Sequence, residues 1–347
     1  MLQGLNVPIK QIKKFSQPAK LFLLATIVDG IVYSGWNLFF NFYMIERGFG
    51  RDFIGVVNGV VSLAMVLLGV PMGRISDRIG RKRAMVIGVA VSMAAMALEV
   101  TLTNPTLILA AAFVNGTAGA LYFLSQAPFM MKASDSENRT LLFSLNFGLV
   151  TLSGAFGSLF AGQLPAFFGG VLGVTASSAS AYQAVLLASV FLSVFTLVPL
   201  LLIKESKSDE SKVIKPEKGV SLREVLRNPM TLKLSLPGLL IGSGAALLIP
   251  YLNLFFADKF QVSDETLGVL FSISALMTGV GSIVGPRLET GLGSKIRAVV
   301  FTQAGSLAFL LLMGFSPYMG LAIVGFLMRG TLIIWRCRCS APLRWNR

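Results

Sequence analysis

The sequence predicts an all-α integral membrane bundle made of two related halves, and three observations carry that prediction. Of its 347 residues, 54% are hydrophobic and 13% charged, with a mean hydropathy of +0.74, whereas a soluble domain carries about 25% charged residues. Apolar runs of about 20 residues, long enough to cross a hydrocarbon core about 30 Å thick, recur between short charged turns. Finally, short stretches of the first half return in the second at a nearly constant offset.

The runs give ten spans: 19–45, 53–73, 84–103, 106–131, 140–165, 180–203, 231–257, 266–286, 296–315 and 317–335. The lead-in "MLQGLNVPIKQIKKFSQPAK" is basic, but the run after it is too long for a signal peptide and no small-residue cleavage site follows. It is read as a cytoplasmic N-terminus. The net charge of +14 raises nucleic acid as a partner, yet the basic residues alternate by side. With the N-terminus inside, 22 Lys and Arg fall in the cytoplasmic segments, against Arg47, Arg51 and Lys259 outside. That bias is topological, and no nucleic-acid partner is expected.

Other chemistry is bounded by what is missing. There is no histidine, and both cysteines, Cys337 and Cys339, sit in the last eleven residues. A disulfide framework, a zinc site and a Cys/His nucleophile are excluded, so no cofactor, metal or catalytic residue is expected. An enzyme would need paired carboxylates or a nucleophile within the spans, and none is apparent. No G-x-x-x-x-G-K-[ST] stretch is present, so an ion gradient rather than ATP is the expected energy source.

The one long polar segment, "KESKSDESKVIKPEKGVSLREVLRNP", separates six spans from the rest. Three domains follow: 1–203, a six-span half; 204–230, a cytoplasmic linker; and 231–347, the second half. Ser221 and Glu224 have capping-box spacing, which predicts a short interfacial helix near Leu222 to Leu226. Across the linker, "NLFF" at Asn37 recurs at Asn253, "IGVV" at Ile54 matches "LGVL" at Leu267, and "NGT" at Asn115 matches "RGT" at Arg329. A six-span unit used twice suits a transporter that binds its substrate between the halves at the midplane.

Between spans two and three lies "GRISDRIGRK", Gly73 to Lys82. Gly73 would let span two approach a neighbour closely, and Gly80 would permit a tight turn. Asp77 can cap a helix N-terminus or pair with a cation, and Arg78, Arg81 and Lys82 would anchor the turn at an anionic face. The stretch resembles the G-x-x-x-D-R-x-G-R-K motif of the major facilitator superfamily, with every specified position present. That resemblance implies a bundle of two six-helix halves, with about ten of twelve spans present here. It implies transport of a small-molecule substrate by alternating access, and a cytoplasmic gate at this turn, with Asp77 facing the eleventh span. It also implies that spans 1, 4, 7 and 10 line the cavity.

Polar residues within those spans are the site candidates. Asp29, Tyr33, Asn37 and Asn41 recur every four residues and share one face of span 1. Asp29 lies about 15 Å into its span, and an intramembrane carboxylate reads as functional. It either carries a proton, binds a cationic substrate, or is a structural carboxylate satisfied by a neighbouring hydroxyl or amide. Asn115, Tyr122 and Gln126 form a stripe in span 4, and Asn253 repeats Asn37 in span 7; these are ligand contacts or helix-packing groups. Arg329 is the second deep charge, placed to pair with Asp29 or to hold a substrate anion. Glu99, near the end of span 3, reads as interfacial. Gly154, Ser158 and Gly162 form a small-residue row for close packing in span 5.

The tail "IIWRCRCSAPLRWNR", with four arginines and both cysteines, is foreign to a membrane helix. From about residue 333 it reads as a shifted reading frame, which would leave the second half incomplete. The expectation is a monomeric, multi-pass, proton-coupled secondary transporter of a bacterial-type inner membrane. The alternative is a truncated, non-transporting membrane polypeptide derived from one.

Overall fold

A computed structural model of the chain describes residues 15–135, 137–204, 229–292 and 295–339. Every regular element among them is helical: α1 (Gln17–Glu46), α2 (Arg51–Ile79), α3 (Arg81–Thr101), α4 (Pro105–Lys132), α5 (Arg139–Ala161), α6 (Leu164–Leu172), α7 (Ala179–Leu202), α8 (Pro229–Leu248), α9 (Leu252–Phe260), α10 (Asp264–Leu292), α11 (Lys295–Phe315) and α12 (Met319–Cys339). Seven of the described segments are long and apolar enough to cross a membrane. Large apolar side chains such as Val66, Phe160, Phe191 and Leu239 point outward along them, the arrangement lipid requires and water penalises.

The helix starts are written locally. Ser16 accepts from the Ala19 amide, with a proline at the first turn, and Asn104 accepts from Thr106 and Leu107 ahead of α4. Ser178 does the same for Ala181 at α7. Each cap satisfies amides that have no partner within the helix.

All ten expected spans are helical among the described residues, with three differences. The motif after span two is not a loop: α2 runs on to Ile79, Gly80 alone makes the corner at φ +92°, and Arg81 opens α3. Span 7 is broken rather than continuous. Pro250, which lacks an amide proton, forces a 3-10 turn at Ile249–Tyr251 between α8 and α9. A short helix, α6, occupies the connection after span five and ends at Gly173 in the left-handed conformation. The backbone of α12 stays helical to Cys339, into the tail that charge pattern set apart, because no glycine or proline falls between Thr331 and Ala341. The interfacial helix expected near Leu222 lies outside the described residues.

Two hydrophobic cores divide the bundle along its length. One joins the halves: Leu38, Phe39 and Tyr43 of α1 and Ile54 and Val57 of α2 pack with Leu252, Phe256, Leu267 and Phe326 of the second half. The other, among the described residues, belongs to the first half alone and includes Phe22, Met85, Phe129, Leu142 and Leu200. One end of the bundle is therefore sealed between the halves.

The repeat is visible in contacts as well as letters. Gly116 of α4 lies directly against Val61 of α2, and its counterpart Gly330 of α12 faces Ser274 of α10, the position that corresponds to Val61. The small-residue row of α5 does what its spacing predicts. A Cβ on Gly162 would stand 2.9 Å from Gly268 Cα of α10, and one on Gly268 2.7 Å from the Ser158 carbonyl oxygen. Only glycines allow that approach between the halves.

Candidate functional site

The polar stripe of α1 runs from the interior of the first half to the seam between the halves. At about 100° per residue, Phe22, Asp29 and Tyr33 project within about 40° of one another. Phe22 packs its ring on Phe129 of α4, 5.3 Å between centroids, and Asp29 lies two turns further along the same face, on the side of Tyr122 of α4. This face of α1 therefore looks at α4. One turn beyond Asp29 the face opens, and Tyr33 is 67% exposed. The opposite faces of α1 are filled, with Gly30 against Ser153 of α5 and Gly35 against Ser189 of α7.

Three of the expected site residues thus lie on the facing stretches of α1 and α4: Asp29 on one, Tyr122 and Gln126 on the other. The Tyr122 hydroxyl is buried without a partner within hydrogen-bond distance, with Gln126 close by. Asp29 has no ion pair among the described residues. A carboxyl on one helix opposite a phenol and an amide on the other, with the phenol unpartnered, is what a site for a polar ligand or a proton needs.

The far end of the stripe closes it. Asn37 is exposed and turns its amide onto the Tyr33 carbonyl of its own helix, 2.8 Å away. Asn41 is buried and donates to the Asn253 side-chain oxygen at 3.2 Å and to the Pro250 carbonyl. That carbonyl lies at the break in span 7, and Asn41 supplies a donor to it. Asn253 in turn donates to Leu38 O at 2.8 Å. Of the repeat-related pair Asn37 and Asn253, one faces open space and the other is a fastening between the halves.

The remaining candidates lie elsewhere. Asn115 points into the α3–α4 seam, where it accepts from Ser92 at 2.6 Å and donates to Glu99 at 2.9 Å. Arg329 occupies the corresponding place in the second half, is 6% exposed, and has no ion pair with Asp29 or with any other described residue. Glu99, read from its position in the span as interfacial, is instead 1% exposed. Its distance from the helix end hid this; Asn115, which covers it, is reached only through the fold. A second pair invisible in the sequence is Tyr182 of α7 with Asp264 at the start of α10, the hydroxyl 3.0 and 3.2 Å from the carboxylate oxygens.

The motif turn is held within the first half. Asp77 pairs with Arg81 one turn along, and Arg81 also donates to Ser76 at 3.1 Å. Ser76 in turn shares a 2.6 Å hydrogen bond with Ser125 of α4. Lys82 donates to Leu201 O at the end of α7, 2.9 Å away, which ties the turn to the last helix of its half. Arg78 lies in the last turn of α2, where a cation suits the helix dipole. Gly73 has nothing within 4 Å of where a Cβ would stand and lines an open groove of about 500 Å³ between α2 and α4 with Asp77 and Arg81. The close neighbour expected at Gly73 is absent among the described residues.

The Major Facilitator Superfamily model matches residues 22–336. The chain belongs to the Major Facilitator Superfamily. Solved structures share the superfamily fold. The nucleoside transporter NupG is 14% identical, with a TM-score of 0.71 over 93% of this chain and 81% of its own. A bacterial homologue of the human lysosomal transporter Spinster, inward-facing and unoccupied, is also 14% identical, with a TM-score of 0.69 over 94% of this chain and 74% of its own. At that identity the likeness is one of fold. No curated protein sequence matches significantly. Membership of this superfamily makes the chain a multi-pass membrane transporter rather than an enzyme.

Proposed function

We propose that the chain moves a small polar solute across the membrane by alternating access, coupled to proton movement through Asp29. The observation that carries this is an Asp29 carboxyl without an ion pair on the face of α1 turned to α4, opposite the unpartnered Tyr122 hydroxyl and beside an exposed Tyr33. An intramembrane carboxyl without a cation is costly to maintain and suits a site that a proton or a cationic group visits. The halves 1–203 and 231–347, joined by the linker 204–230, rock about the seam of Asn41 and Asn253. The 22-to-3 bias of basic residues supports a cytoplasmic N-terminus, which makes the sealed end external and this conformation inward-facing. The turn Gly73–Lys82 then serves as the cytoplasmic gate.

The test begins with a thermal-shift screen of the purified chain against amino acids, sugars, nucleosides and organic cations. Transport of the hit into proteoliposomes is then compared for wild type and Asp29→Asn at two external pH values. Loss of pH dependence in the variant is expected. Equal transport and an equal pH response in both proteins would falsify the coupling role.

A further inference from the structure

The first half holds a second buried carboxyl that the central stripe does not use. Glu99 lies in the last turn of α3 and is 1% exposed. A carboxylate offers about four lone-pair sites, and among the described residues Glu99 has one hydrogen-bond partner, the Asn115 amide nitrogen at 2.9 Å. Asn115 is fixed from its other side by Ser92 Oγ at 2.6 Å.

The charged and titratable groups around this end of α3 are committed elsewhere. From α1, Arg47 donates to Leu102 O at 2.7 Å and to the Tyr43 hydroxyl at 3.0 Å, and Tyr43 donates to Val100 O. From α7, Gln183 donates to Val100 O at 3.1 Å, and the Tyr182 hydroxyl is on Asp264. From α2, Arg51 pairs with Asp258, and Asp52 is exposed. α4 contributes Asn115 alone at this level. Glu99 is thus out of water with one neutral donor and no cation.

Packing does not demand a carboxyl there. At the repeat offset of 214, Ser92, Glu99 and Asn115 correspond to Ser306, Met313 and Arg329, all three buried in the second half. The same seam accepts a methionine where the first half has Glu99, so the carboxyl is a feature of one half and not of the architecture.

We propose that Glu99 is a proton-binding site in the α3–α4 seam, separate from Asp29, whose protonation is answered by Asn115 of α4. Asn115 can serve either protonation state. When Glu99 is ionised, its carboxylate accepts from the Asn115 amide nitrogen. When Glu99 takes a proton, the O–H becomes a donor, and an Asn115 turned by about 180° can accept it on its oxygen while its nitrogen donates to Ser92. One proton thereby reverses the polarity of the Glu99–Asn115–Ser92 chain, which spans the α3–α4 seam. The site deepens the proton-coupled reading, and its test does not depend on transport.

The experiment is infrared spectroscopy of the purified full chain in lipid nanodiscs at neutral pH, in H₂O and D₂O. A protonated-carboxyl C=O band that is lost in Glu99→Gln and kept in Asp29→Asn is the expected result. Asn115→Leu should move that band to higher frequency, as removal of a hydrogen bond requires. This variant carries the test if Glu99→Gln does not fold, and an unmoved band then overturns the site. Identical spectra for wild type and Glu99→Gln also overturn it. A band lost only in Asp29→Asn overturns the Glu99 site and leaves coupling through Asp29 standing. A Glu99 band together with pH-insensitive transport supports the site and removes the coupling.

Discussion

Asn41 and Asn253, 212 residues apart in sequence, join the two halves through one side-chain hydrogen bond of 3.2 Å, Asn41 also holding the Pro250 carbonyl at the break in span 7 and Asn253 the Leu38 carbonyl of α1. Both are buried. Removing either leaves polar groups that neither water nor protein satisfies, at a cost of about 1–3 kcal/mol. Asn253→Ala should lower the thermal unfolding midpoint of the solubilised protein. Asn37→Ala, which removes an exposed amide bonded only within its own helix, should leave it nearly unchanged. Equal shifts would show that the repeat-related asparagines do the same work.

The Gly162–Gly268 contact makes a sharper demand, because a side chain at either position collides with backbone rather than with a movable side chain. Gly268→Leu should part α5 from α10 and open the sealed end. Arg51 and Asp258, 2.7 Å apart there, provide a reporter. In a background with Cys337 and Cys339 replaced by serine, the pair Arg51→Cys and Asp258→Cys should be bridged by a bifunctional thiol reagent as long as the Arg side chain it replaces, and adding Gly268→Leu should abolish the bridge. The ion pair itself is exposed and contributes little, so its loss does not confound the readout.

Asp264 precedes the span that begins near residue 266, and its carboxyl is raised from 3.8 to about 6, mainly by burial and further by Glu265, with the Tyr182 hydroxyl opposing. A carboxyl whose folded pKa exceeds its unfolded value stabilises the fold in its protonated form. That contribution is complete below about pH 4 and fades as the pH rises through about 6. The unfolding midpoint of wild type relative to Asp264→Asn should therefore fall between pH 4 and pH 7. A flat difference across that window would count against the burial of this group.

Gly73 and Gly80 belong to one motif but should respond oppositely. Gly80 turns the corner at φ +92°, ψ 145°, a region nearly closed to other residues, so Gly80→Ala should cost roughly 1–3 kcal/mol. Gly73 sits in a helix with open space where its Cβ would be, and Gly73→Ala should be neutral or stabilising by up to about 1 kcal/mol. Chemical denaturation of the two variants in one detergent compares them directly.

Much of the fold was legible because lipid enforces it. A chain that must satisfy its backbone without water can only be helical across the apolar runs, so their length and charge punctuation read out as ten helices. Small-residue spacing also located the α5 contact at Gly162. The break at Pro250 was less legible, because proline is tolerated in membrane helices when a neighbour covers the freed carbonyl, and here the neighbour is Asn41, 209 residues away.

The candidate site divides in the same way. Four-residue spacing placed Asp29, Tyr33, Asn37 and Asn41 on one face, and periodicity needs no partner to be read. Which of them meets what was a matter of tertiary structure. Asp29 faces the helix that carries Tyr122 and Gln126, Asn41 finds Asn253, and Asn115 turns away to Glu99. The sequence by itself determined the helices, their repeat and the chemistry of the motif turn, since these follow from solvent, period and backbone geometry along the chain. Only the tertiary structure decided that one end is sealed, that Glu99 is buried and that Arg329 stands apart from Asp29. Those facts depend on which helices pack together, and helix packing joins residues whose separation in sequence carries no signal of their contact.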